Sequence, residues 1–91
     1  MNSSASVTRL LGVLSRYLRQ NPLASDTLEG IAQWWLKNDD VALSDLASAL
    51  KQLAQAGVIE ATTAADGQVR YRRVGLNAQV DEKLDRFIAG S

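Results

Sequence analysis

At 91 residues the chain holds enough material for one domain and little more, and with 46% of its residues apolar it can bury a core. It has no cysteine and no histidine, which excludes disulfide frameworks, the usual zinc sites and any nucleophile activated by an imidazole. Ten basic and ten acidic residues cancel, so net charge supplies no strong electrostatic hold on nucleic acid.

Residues 1–6 are small and polar, lack the charged-then-apolar pattern of a signal peptide, and read as a disordered N-terminal tail. No apolar run approaches the ~20 residues that span a bilayer, so the expectation is a cytoplasmic protein with no membrane partner. Residues 7–20 set Val7, Leu10, Leu11, Leu14, Tyr17 and Leu18 at helical spacing, with Ser6 as the cap and Pro22 as the stop.

A second helix is expected from Ser25 or Asp26. Asp26-Thr27-Leu28-Glu29 puts an acceptor at the cap and a carboxylate three residues on, close to a capping box. Leu28, Ile31, Ala32 and Trp35 then share one face, and Trp34 lies about 100° around from Trp35. Asn38-Asp39-Asp40 reads as a turn. The third helix is expected over residues 41–56, capped by Asp39 or Asp40, with Leu43, Leu46, Ala49, Leu50 and Leu53 buried and Gly57 as its left-handed stop.

Residues 58–63 and 68–74 are short runs that carry β-branched side chains and flank Asp66-Gly67, a strong hairpin signal. With Asp66 and Gly67 as the two central turn residues, Thr62 faces Tyr71, Ile59 faces Val74 and Glu60 faces Arg73. A fourth helix is expected from about Asn77 to Ala89, with Asn77 as the cap and an apolar stripe of Val80, Leu84, Phe87 and Ile88. The fold class is therefore mainly α with a small β-hairpin, in the order α-α-α-β-β-α.

That order is also the order of a winged helix-turn-helix domain, and the local wording is similar. Leu46-Ala47-Ser48-Ala49-Leu50-Lys51-Gln52-Leu53-Ala54-Gln55-Ala56-Gly57-Val58-Ile59-Glu60 resembles that family's recognition helix, closing glycine and first wing strand. Asp66-Gly67-Gln68-Val69-Arg70 resembles the wing tip of small bacterial DNA-binding transcription regulators, including the multiple-antibiotic-resistance class. The resemblance implies a winged-helix domain over residues 7–76, with residues 77–91 forming a C-terminal helix that covers the core or dimerises. It implies duplex DNA as partner, with Ser44, Asp45, Ser48 and Lys51 at the major groove and Arg70 and Arg72 on flanking backbone.

Several features carry two readings each. The leading surface of the third helix offers small hydroxyls and an aspartate rather than the Arg, Lys, Asn or Gln that pair best with base edges. Arg70 and Arg72 project from one strand face as phosphate contacts or as solubilising charge, whereas Arg73 has a cross-strand partner in Glu60. Arg9 and Arg16 lie a heptad apart, facing a phosphate backbone or simply solvent. Two adjacent indoles are more than a small core readily encloses, so Trp34 or Trp35 is a candidate for a subunit or partner interface. The fourth helix, through Leu84, Phe87 and Ile88, packs back on the first helix or pairs with a second copy. The acids at Asp39, Asp40 and Asp45 suit a helix N-terminus, and no catalytic group, metal, cofactor or small-molecule ligand is expected.

Two functions follow. One is a small winged-helix transcriptional regulator that binds DNA as a homodimer. The alternative is a winged-helix protein–protein interaction module that binds no nucleic acid.

Overall fold

The computed structural model describes residues 3–36 and 41–90. Within them the chain is mainly helical, with four helices and a small three-stranded antiparallel sheet. Helix α1 (Ser3–Gln20) starts four residues before the expected position. Nothing between Ser3 and Val7 interrupts helical geometry, so the stretch read as tail is helical from Ser3 and Ser6 lies inside the helix rather than capping it. Asn21 closes α1 by donating both its backbone N–H and its side-chain amide to the Tyr17 carbonyl, ahead of Pro22.

Strand β1 (Ser25–Asp26) follows, in the position expected for the start of the second helix. Because Ser25 and Asp26 are extended, the cap moves one residue on, to Thr27, whose hydroxyl accepts from Gly30 N at 3.1 Å. Asp26 instead accepts from the Thr27 N–H at 2.8 Å and lies over Gly30, where any Cβ would collide with its carboxylate. Helix α2 (Leu28–Gly30) continues into a π-helical turn, Ile31–Trp35. Ile31 and Trp35 are buried there, with Leu28 and Ala32 packed at the margin.

Helix α3 (Leu43–Gln55) begins at Ala42, which provides no side-chain cap. Asn38, Asp39 and Asp40, expected as its turn and caps, lie outside the described residues. Leu46, Ala49, Leu50 and Leu53 are buried as the periodicity requires, but Leu43 is exposed. The first turn of α3 projects past a core that only begins at Leu46. At the other end Gly57 takes φ +81°; its N–H donates to Ala54 O and that of Val58 to Leu53 O, which together form a Schellman closure.

Strands β2 (Ile59–Thr63) and β3 (Val69–Arg73) form the hairpin, and β1 pairs with the far side of β3, giving the order β1-β3-β2. The register differs by one residue from the expected one: Ile59 faces Arg73, Glu60 faces Arg72 and Thr62 faces Arg70. The turn holds three residues rather than two. Gly67 N donates to Ala64 O, Ala64 N donates to Gln68 O, and Gly67 has positive φ, at +84°. Asp66 accepts from Gln68 N at 2.9 Å through its side chain, which stabilises this longer turn.

Helix α4 (Ala78–Ala89) starts at the expected cap: Asn77 Oδ1 accepts from Val80 N at 2.9 Å. It packs back along α1 of its own chain, burying Val80 and Leu84 against the core. Leu10, Leu14 and Leu18 of α1, Ile31, Leu50 and Leu53 fill the centre. Ser15, also fully buried on α1, has a hydroxyl with no hydrogen-bond partner among the described residues. A buried unsatisfied hydroxyl costs about 1–3 kcal/mol, so Ser15→Ala is expected to stabilise the chain by roughly 1 kcal/mol in urea denaturation. A lower midpoint for the variant would refute that reading.

Candidate nucleic-acid interface

The side of α3 opposite Leu46, Leu50 and Leu53 is the surface the periodicity leaves free. Ser44, Ser48 and Lys51 are all exposed on it, and Asp45 is half-buried at the first turn. Lys51 forms no ion pair among the described residues, so its ammonium is available to an anion. Through the Gly57 closure this helix runs directly into β2, which fixes where the hairpin leaves it.

Alternation along β3 puts Val69, Tyr71 and Arg73 on one face and Arg70 and Arg72 on the other. The shifted register changes which arginines are occupied. Arg72 donates through Nε to Glu60 Oε2 at 2.9 Å, the partnership expected for Arg73, so part of its charge is already answered. Arg70 sits opposite Thr62 and is half-buried, with no ion pair among the described residues.

Arg73 points the other way. Its side chain is only 3% exposed, with Nε donating to Gly75 O at 3.1 Å and Nη2 bound to Asp81 Oδ1 at 2.8 Å. The same Asp81 oxygen lies 3.1 Å from Arg19 Nη1, and Asp85 accepts from Arg19 Nε at 2.9 Å. The hydrogen bond that Arg19 donates to Asp85, followed by the charge of Asp81, holds the Arg19 guanidinium still more firmly in its protonated form. One carboxylate thus joins α1, the end of β3 and α4. The parity of β3 was a usable sign of this: Arg73 shares a face with Tyr71, which packs on the core.

Compared with known protein families, curated proteins and solved structures, the chain finds no match. The assignment of a site therefore depends on these side chains alone.

Of the residues expected at an interface, Trp35 and Leu84 are sealed inside the chain. Trp35 is 7% exposed and stacks on Tyr17 with ring centroids 4.7 Å apart, and Leu84 is fully buried beneath α4. Neither presents a surface to a second copy. Phe87 and Ile88 stay partly exposed, and Trp34 is 62% exposed on the outer side of the π-helical turn. Among the described residues no helix is long and apolar enough to cross a membrane.

Proposed function

We propose that the chain is a winged-helix module that binds duplex DNA in transcriptional control, with α3 in the major groove and the β2–β3 hairpin against flanking backbone. The observation that supports it is the pairing of an unobstructed polar helix face with a basic hairpin: Ser44, Ser48 and Lys51 are exposed on α3, and Arg70 and Arg72 share the outward face of β3. Lys51 and Arg70 carry the phosphate contacts, Arg72 contributes less because Glu60 holds it, and the two serines touch base edges. Asp45 accepts from a cytosine amino group where it meets a base.

With so few free cations the affinity is modest and strongly salt-dependent. Each phosphate contact contributes a slope of about −0.9 in log K against log salt, so Lys51→Ala and Arg70→Ala are each expected to flatten the slope by about 1. Fluorescence anisotropy with a labelled duplex across a salt series measures this. Absence of binding at low salt with tens of micromolar protein would remove the proposal.

A second reading, a protein-interaction module, rests on Trp34. An indole that is 62% exposed is costly to leave in water and is a residue type concentrated at interface hot spots. Light scattering with and without duplex separates the two readings. A DNA-bound dimer supports the regulator, and a monomer that ignores duplex supports the module.

A further inference from the structure

Leu23 is 81% exposed, Leu76 64% and Val74 48%, and all three line one cleft of ≈ 330 Å³ with Pro22, Ser25 and Arg72. The sheet brings them together. Ser25 pairs with Arg72 in antiparallel register, and that register carried two residues further sets Leu23 opposite Val74. Single exposed leucines are ordinary on a protein surface, whereas several converging on one concavity mark a place that another molecule covers.

The chemistry of the lining selects the occupant. Its only charged residues are Arg72 and Arg73, with no carboxylate among them. Arg73 is buried and used by Asp81 and Gly75, but the Arg72 side chain, which gives its Nε–H to Glu60, is half-exposed. Three exposed apolar side chains beside a half-exposed guanidinium, in a lining of mixed polarity, complement an apolar side chain next to a carboxylate. A phosphate backbone would leave the three apolar side chains uncovered. Strand β1 also lies at the sheet's edge, pairing with no strand but β3 among the described residues, so an extended chain can run beside it.

We infer that this cleft is a docking site for an extended acidic–apolar segment of a partner protein. A leucine-like anchor sits on Leu23, Val74 and Leu76, and a carboxylate reaches Arg72. The inference does not rest on the DNA reading, but the two share Arg72, so peptide and duplex would compete for that side chain.

The test is a short, end-capped, fluorescein-labelled peptide of alternating leucine and aspartate, titrated with the full chain and followed by anisotropy. Saturable binding is expected, weakened about tenfold or more by Leu76→Asp, by Leu23→Asp and by lysine in place of the peptide's aspartates. Trp34→Ala leaves it unchanged. Both leucines are exposed, so these variants keep the fold, which circular dichroism checks. No saturable binding, equal binding of the lysine peptide, or indifference to Leu76→Asp overturns the inference. So does a free chain that is dimeric by light scattering and becomes monomeric with Leu76→Asp, because a second copy then fills the cleft.

Discussion

Asp81→Ala is expected to destabilise the fold by about 2–3 kcal/mol, more than any other single change on the surface of α4. Asp81 Oδ1 is shared by Arg73 Nη2 at 2.8 Å and Arg19 Nη1 at 3.1 Å, and the Arg73 side chain is 3% exposed. Among the described residues, removing the carboxylate leaves a buried guanidinium with only the Gly75 carbonyl as partner. Breaking a buried pair typically costs about 3–5 kcal/mol, and the lower figure here reflects an Asp81 side chain that is 35% exposed and so reached by water. In a domain of this size that corresponds to a melting temperature lower by about 10–20 °C. Asp85→Ala provides the contrast. Among the described residues its ion pair is with the exposed Arg19 guanidinium, and the change barely moves the melt, because solvent screens that pair. Arg73→Met in the Asp81→Ala background restores much of the loss, since no charge is then left without a partner. A melt for Asp81→Ala within about 2 °C of the parent would mean that Arg73 is hydrated and that the argument fails.

The same contact explains why the hairpin was only half legible in the sequence. Strand positions, the turn glycine and the alternation of β3 could all be read, because β-branched runs and Asp66-Gly67 are local signals. The register could not. A two-residue and a three-residue turn both place Gly67 at positive φ and differ by one residue in length, the longer being the one in which the Asp66 side chain accepts from Gln68 N. That difference exchanges the partners of Glu60, and with them the roles of Arg72 and Arg73. Ion pairs between separate elements, such as Arg73–Asp81 and Arg19–Asp81, leave no spacing to detect. Nor do two residues of strand: Ser25 and Asp26 are too few to show period two, and polar residues before a helix look like a cap.

Helical content was far more legible, since Leu46, Leu50 and Leu53 repeat often enough to define a face and Gly57 punctuates it. The error at Leu43 belongs to the end of that pattern. Periodicity gives the direction of a face but not how far the neighbouring core extends along it. For the candidate interface, the sequence showed which side of α3 is free. It could not show that Arg72 is half-answered by Glu60, which leaves Lys51 and Arg70 as the cations on which the DNA reading depends.

The two adjacent tryptophans are expected to behave as opposites. Trp35→Ala should cost about 3–5 kcal/mol, the range for deleting a buried large aromatic, because it empties the space beside Ile31 and removes the ring stacked on Tyr17 at 4.7 Å. Against a typical total stability of about 5–15 kcal/mol, that places the variant near the threshold of folding. Trp34→Ala should shift stability by less than about 0.5 kcal/mol, since its indole is already mostly in water. Chemical denaturation of both variants measures the difference directly. The pair also controls any functional test at this turn. A binding defect in Trp35→Ala reports on folding, whereas one in Trp34→Ala with an unchanged denaturation midpoint reports on a surface. Equal losses of stability would mean that both indoles share the core, and the case for Trp34 as a contact residue would fall with them.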